Sequence, residues 1–333
     1  MIPTGIPTLE DVEAAAAALE GIAISTPLMQ VSALEELTGA NSVHVKLESM
    51  QRTGSFKFRG AYWRCLQLSP EERERGVVAY SSGNFAQGLA AAAQILGIPC
   101  TIVMPVDAPE VKRRKTEGFG AIVVQTDHGQ RPREEVAAET AVQIAEDDGK
   151  TLLHPFDDIS IVTGHASLAI EVLDELARLR FSAPDDLLCC VGGGGLLAGI
   201  ALGCHVRGAT TRCTCVEPVG YDSMGQSLRR GSPIRVDGSS GTICDALQAT
   251  RPGDAPFAVL QATGCGDPLT VDDAAVREAM RFAHDQLKIT LEPSGSVALA
   301  ALMGSGKRYA GLNVVAILTG GNIEMSAFAD IAT

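Results

Sequence analysis

Between residues 76 and 153 the chain alternates short apolar runs with longer amphipathic ones, and few residues separate them. Residues 77–80, 100–104, 121–124 and 151–153 read as strands, and 86–96, 108–116 and 133–147 as helices. No other feature limits the fold so tightly. A strand, a helix and a second strand joined by short links bring the second strand back parallel to the first, with the helix covering one face. The second half repeats the texture. Helices are expected at 160–179 (interrupted near Gly164), 196–206, 220–228, 272–286 and 296–303, and strands at 187–191, 211–216 and 314–318. Ahead of both blocks, 9–19, 32–37 and 56–68 read as helices and 42–47 as a strand. Thr8, with Asp11 three positions on, is a capping signal for the first helix. The expectation is an α/β protein.

Composition narrows the function. A chain of 333 residues has room for two domains. It is 46% hydrophobic and 20% charged, as soluble globular chains are, and no apolar run reaches the length of a membrane span. A net charge of -13 argues against nucleic-acid surfaces and anionic membranes, and fits a protein that handles small molecules. The first fifteen residues lack the basic-then-apolar order of a secretory signal. None of the nine cysteines has the paired spacing of a zinc site, so they read as buried thiols of a reducing cytoplasm.

Two stretches carry chemistry. Thr53-Gly54-Ser55-Phe56-Lys57-Phe58-Arg59-Gly60-Ala61 sets a lysine between two phenylalanines at the start of a helix. Apolar neighbours and the positive helix end both disfavour the ammonium, and a neutral amine is what a Schiff-base nucleophile requires. These nine residues alone also describe a surface lysine beside two core aromatics. The second stretch, Gly192-Gly193-Gly194-Gly195, lies between an apolar strand and a helix. Glycines admit close approach of a ligand, and the helix N-terminus offers N–H groups to an anion, so a phosphate is the natural occupant. Gly193, Gly195 and Ala198 also fit the G-x-G-x-x-A dinucleotide fingerprint, with Glu217 ending the next strand. A dinucleotide-binding dehydrogenase is thus a distant alternative, although no proton-relay histidine accompanies the fingerprint.

Three further loops lie at strand ends or helix starts: Ser81-Ser82-Gly83-Asn84-Phe85, Glu292-Pro293-Ser294-Gly295 and Thr319-Gly320-Gly321-Asn322. In open α/β sheets ligands collect at the carboxyl ends of strands. TGSFKFRGA, SSGNFAQGLAAAA, TIVMPVDAPEVK, HPFDD, GGGGLLAG, VEP, EPSGSVALAAL and TGGN follow one another in that order. On these motifs essentially the whole chain resembles the fold type II pyridoxal-phosphate enzymes, specifically the threonine/serine dehydratase and serine racemase family.

The resemblance implies a tryptophan synthase beta-like architecture, with two three-layer, parallel-sheet domains and the active site between them. Residues 1–75 and 150–333 would form a large discontinuous cofactor domain, and 76–149 a small substrate-carboxylate domain. It implies pyridoxal 5'-phosphate as cofactor and a lyase that dehydrates and deaminates a small β-hydroxy amino acid of the threonine/serine type, giving a 2-oxo acid and ammonia, with a hydroxyaspartate dehydratase or a serine/aspartate-type racemase using the same cofactor as the alternative. Lys57 would be the Schiff-base lysine and the base at Cα. Gly192, Gly193, Gly194, Gly195 and Leu196 would hold the phosphate, Asn84 the ring 3-hydroxyl, Phe56 the ring face and Thr319 the pyridine nitrogen, with Glu292 also beside the cofactor. Ser81, Ser82, Gly83, Asn84 and Phe85 would receive the substrate carboxylate.

Several positions depart from the family pattern or admit two roles. Phe85 stands where the family usually has histidine, and Gly164-His165-Ala166-Ser167 replaces G-Q-G-T. Ser82 matches a serine that exchanges a proton opposite the lysine in the racemases, and equally a loop hydroxyl capping a helix. Arg133 aligns with an arginine that reaches substrate in the racemase branch. A second substrate carboxylate would suit its fork, which favours 3-hydroxyaspartate, while a solvated first-turn arginine paired with Glu134 is the plainer alternative. A divalent cation would be held by Glu217 and an acidic residue six positions on, but that position is Ser223 and Asp222 falls one step early, so a purely structural Glu217 is an equal expectation. The resemblance also implies a homodimer. No regulatory domain is expected after the TGGN strand.

Overall fold

The computed structural model describes residues 5–131 and 133–332. Among these, ten strands form two sheets: β1 (Leu28–Gln30), β2 (Ser42–Lys46), β3 (Val77–Tyr80), β4 (Cys100–Pro105), β5 (Ile122–Thr126), β6 (Thr151–Leu152), β7 (Asp186–Cys190), β8 (Arg212–Pro218), β9 (Gly266–Val271) and β10 (Asn313–Ile317). One sheet has the order β1-β2-β10-β7-β8-β9, parallel except for the antiparallel edge pair β1 and β2. The other, β5-β4-β3-β6, is parallel throughout.

The continuous apolar runs follow from burial on both faces. In β7, Leu188 and Cys190 enter one core while Leu187 and Cys189 enter the opposite one. In β10, Val314 and Ala316 alternate in the same way with Val315 and Ile317. The helices Pro293–Met303 and Asp273–Phe282 supply the first core; Ile159–Arg178 and Gly195–Val206 supply the second. In the smaller sheet Val77 and Ala79 of β3 pack with Phe58, Phe85 and Leu89, and Val78 packs with Ala137 and Ala141 of the helix Arg133–Asp148. Phe58 therefore carries the helix Lys57–Leu66 against the small sheet.

Strand order reverses twice. β7 leads to β8 and β9 on one side, while β10 lies on its other side; β3 has β4 and β5 on one side and β6 on the other. Such switch points open a crevice beyond the strands' carboxyl ends. The tetraglycine loop follows β7, Thr319 follows β10, the loop 81–85 follows β3, and His154-Pro155-Phe156 follows β6. All four segments thus issue from switch-point strands.

Some elements differ from expectation. The helix Ile159–Arg178 is unbroken at Gly164. That glycine permits close packing: a Cβ there would lie 2.8 Å from Gly60 Cα on the neighbouring helix. The expected helix at 220–228 begins only at Ser223, because Gly220 sits at φ +83 in a turn. The helix Asp254–Thr263 and the edge strand β9 have no counterpart among the expected elements. β9 contains Pro268, is half-exposed and pairs with β8 through a register shift, so it shows neither alternation nor an apolar run. The tail folds as the helix Met325–Ala332.

Candidate active site

Lys57 is the first residue of its helix, and the preceding turn is stitched to the loop after β10. Phe56 N–H donates to Thr319 O at 3.2 Å, Gly321 N–H donates to Gly54 O at 3.0 Å, and Ser55 bridges Gly320. Thr53 and Gly54 reach this turn with φ of 63 and 75, where glycine is at ease and threonine is not. Lys57 Nζ donates to Pro155 O at 2.8 Å and lies 5.2 Å from the Phe56 ring centre and 5.7 Å from that of Phe85. Burial pushes its amine down to about 8, while the nearby Cys190 sulfur pulls the other way. Near physiological pH the ammonium still predominates, but far more of the amine is neutral than for a solvated lysine, and the neutral form is the one a nucleophile or base at carbon needs.

The tetraglycine loop faces Phe156. A Cβ on Gly193 would fall 2.1 Å from that ring, and one on Gly194, at φ +99, would fall 2.3 Å from Met224 Cε. The helix Gly195–Val206 starts with no side-chain cap, so its first N–H groups have neither intrahelical acceptor nor capping oxygen. An uncapped helix start behind glycines suits a phosphate.

Asn84, the first residue of the helix Asn84–Leu96, is buried; its Nδ2 donates to Glu292 Oε1 at 2.5 Å and its Oδ1 accepts from Asn322 Nδ2 at 2.8 Å. Burial and the charge of Asp245 push the Glu292 carboxyl up to about 7, against Lys112, Asn84 and the Asn322 backbone. Thr319 Oγ1 lies 3.2 Å from Cys190 Sγ at the end of β7. His154 Nδ1 accepts N–H groups of Phe156 and Asp157 at 3.3 and 2.8 Å, which leaves the proton on Nε2, 3.2 Å from Tyr80 OH. Its pKa is lowered by burial and by Lys57, against Asp157 and Asp158.

Ser81, Ser82 and Gly83 are half-exposed at the tip of β3, and Gly83 N–H donates to Ser81 Oγ at 3.2 Å. Arg133 Nη2 donates to Ser82 Oγ at 3.3 Å, and Nη1 pairs with Asp107 at 3.0 Å. Arg133 is thus brought to the loop 81–85 but is ion-paired as well, to Asp107 and, at 3.4 Å, to Glu134. Phe85 is buried with its ring toward Lys57. His165 is buried edge-on to Phe56, and its ring occupies the space beside Gly60; burial, Lys57 and Arg59 drive its pKa well down, so it is a neutral packing group.

Glu217 lies away from these contacts. Both its oxygens accept backbone N–H groups, from Met224 and Gly225 at 2.8 Å each, and so anchor the start of the helix Ser223–Arg230. Asp222 turns instead to Gln226 and Arg229. Among the described residues no group of three or more His, Cys, Asp or Glu side chains is placed to hold a metal ion. The structural role of Glu217 accounts for both its carboxylate oxygens.

Sequence reasoning leaves Pro155, Phe156, Cys190 and Asn322 without roles. The HPFDD and TGGN motifs contain three of them, but a carbonyl aimed at a lysine leaves no trace in residue type. Cys190 reads simply as part of an apolar strand.

The comparisons with known proteins agree with this geometry. The sequence profile of a family described as "Pyridoxal-phosphate dependent enzyme" matches residues 19–320. The chain is 38% identical to the L-threo-3-hydroxyaspartate ammonia-lyase of Pseudomonas sp, over 96% of this chain and 97% of that one. It is 35% identical to the serine racemase of Schizosaccharomyces pombe, over 97% of each. The crystal structure of a threonine deaminase from T.th. superimposes with a TM-score of 0.86 at 35% identity, covering 96% of this chain and 99% of that one. The cofactor is pyridoxal phosphate, and the donor set fits it: a buried amine of lowered pKa, an uncapped helix start behind four glycines, and a hydroxyl and an amide from facing loops. The dinucleotide alternative falls away, and the chain belongs to the fold type II pyridoxal-phosphate-dependent enzymes.

Proposed function

We propose that this lyase takes a small β-hydroxy amino acid bearing a second carboxylate, with 3-hydroxyaspartate preferred over threonine and serine. The observation that carries the reading is the guanidinium of Arg133 on Ser82 Oγ, on the loop that would receive substrate. A carboxylate arriving there would exchange with Asp107 for the same fork.

When bound, pyridoxal phosphate supplies the electron sink for the Cα carbanion. The chain supplies the rest. Lys57, oriented by Pro155 O, takes the Cα proton on Nζ. Ser81, Ser82 and Gly83, with the uncapped start of Asn84–Leu96, hold the α-carboxylate. Phe56 and Phe85 keep water from the amine. The β-hydroxyl leaves as water with the proton taken from Cα, and the released enamine tautomerises to an imine that one water hydrolyses to a 2-oxo acid and ammonia. We also take 76–149 as the small domain, and the protein as a cytoplasmic homodimer; its nine unpaired cysteines suit a reducing compartment, and sedimentation would measure the assembly.

The test is kcat/KM for serine, threonine and 3-hydroxyaspartate in the wild type and in Arg133→Ala. The variant should lose about 10- to 100-fold on hydroxyaspartate, one charge-assisted bond, and little on threonine. Equal losses on both, or a wild type that prefers threonine, would refute the substrate. Ser82 supports a second reading: its hydroxyl, half-exposed in the cleft, could return a proton from the other face of Cα. Racemisation would then appear as enantiomer exchange without 2-oxo acid.

A further inference from the structure

We infer that Asn322 is a positioning residue: it fixes which way the Asn84 side-chain amide points, and so keeps one Asn84 N–H available to the cofactor's ring oxygen. The inference rests on the assignment of Asn84 to that oxygen.

Asn322 follows β10 and packs so closely on the turn before Lys57 that a Cβ on Gly54 would lie 2.6 Å from its Oδ1. Its Nδ2 donates to Thr53 O at 2.7 Å and to Asn84 Oδ1 at 2.8 Å, and its Oδ1 accepts from Lys115 Nζ at 3.4 Å. A backbone carbonyl can only accept and an ammonium can only donate. Together they set the orientation of the Asn322 amide, a choice that atomic shape alone leaves open. Asn322 then imposes polarity on its neighbour. Asn84 Oδ1 must face the donor, so Nδ2 faces the other way. One of its protons goes to Glu292 Oε1 at 2.5 Å, and the other finds no acceptor among the described residues. That free N–H is what an anionic ring oxygen needs.

The chain of bonds has one polarity from end to end, so reversing one member should reverse the next. Asn322→Asp keeps the size but sets acceptors against Thr53 O and Asn84 Oδ1. The Asn84 amide then turns to donate to the new carboxylate and presents its oxygen to the cofactor and to Glu292, whose carboxyl, raised to about 7, can take up a proton and donate in return. Asn322→Ala removes the donor without imposing the reverse, and Glu292 still holds Asn84.

The experiment titrates full-length apo-protein with pyridoxal phosphate, following the dissociation constant and the pH dependence of the visible band. Wild type, Asn84→Ala, Asn322→Ala, Asn322→Asp and the Asn84→Ala/Asn322→Asp double variant are compared, with apo melting temperatures as the folding control. The expected result is affinity weakened about 10-fold or more in Asn84→Ala and Asn322→Asp, less in Asn322→Ala, with the band's pH midpoint moved in Asn322→Asp. In the Asn84→Ala background Asn322→Asp should add less than about twofold, because it acts through Asn84. Additive losses in the double variant, or wild-type affinity and band in Asn322→Asp, overturn the inference while leaving Asn84 at the ring oxygen. An unchanged Asn84→Ala removes that assignment, and the role of Asn322 with it.

Discussion

Glu48→Gln should destabilise the protein by about 3 kcal/mol, because it half-strips a buried cation. Arg59 stands two positions beyond Lys57 on the same helix and is 1% exposed. Its Nε and Nη2 donate to Glu48 Oε2 and Oε1 at 2.8 Å each, and Nη2 also meets Glu171 Oε2 at 2.8 Å. Glu171 Oε1 holds the fully buried Lys46 at 2.6 Å, and Thr26 Oγ1 donates to Glu48 Oε1 at 2.6 Å. Breaking one side of a buried pair costs roughly 3–5 kcal/mol. Glutamine keeps one acceptor and Glu171 remains, which puts this variant near the lower figure, whereas Glu48→Leu keeps no acceptor and belongs near about 5 kcal/mol. At roughly 2 °C per kcal/mol for a chain of this size, Glu48→Gln should melt about 6 °C below wild type at neutral pH. The pH dependence supplies the sign. Burial works to raise the Glu48 pKa, but Arg59, Thr26 and Lys46 outweigh it and hold it below the ordinary 4.5. A depressed carboxylate contributes its full stability above its unfolded pKa and loses it as pH falls through the folded one. The gap between wild type and variant should therefore be complete above pH ~5 and close on acidification. Thermal unfolding followed by far-UV circular dichroism at both ends of that range is the assay. Equal melting temperatures at neutral pH, or a gap that survives acidification, would refute the reasoning.

With the Lys57 amine pushed down to about 8, the rate at which apo-protein captures pyridoxal phosphate should rise with pH and level off above that value. A rate still climbing toward 10.5 would show a solvated lysine. Lys57→Ala should abolish the visible band and all turnover while leaving the melting temperature of the apo-protein within a few degrees; a yellow, active variant would contradict the site. Gly193→Ala places a Cβ 2.1 Å from the Phe156 ring, so it should cost about 1–3 kcal/mol of stability by overpacking and lower the cofactor retained after gel filtration.

The sheets are legible in the sequence because they rest on periodicity. β3, β4, β7 and β10 are buried on both faces and announce themselves as apolar runs. Lys57 and the tetraglycine loop are legible because a lysine between two phenylalanines and four consecutive glycines are unusual runs, although the lysine takes its expected role only from the resemblance of the whole chain. β9 is not, since an edge strand with one paired side and a proline carries little pattern. Gly164 reads as a breaker because a glycine that admits a neighbouring helix looks the same in sequence as one that ends its own. The partners of Arg59 and of Asn84 lie at positions 48, 171, 292 and 322, separations that no local pattern encodes.

The two reversals of strand order divide the labour between two sheets. The crevice beyond β7 and β10 and the crevice beyond β3 and β6 belong to separate sheets, and Lys57 rises where they meet. One sheet's loops present the glycines and Thr319; the other's present Ser81, Ser82 and Gly83. On the proposed assignment of these loops, changing the tip of β3 would alter which amino acid is accepted without rebuilding the glycine loop or Thr319. Cofactor chemistry and substrate choice would then be carried by different sheets and could be altered one at a time.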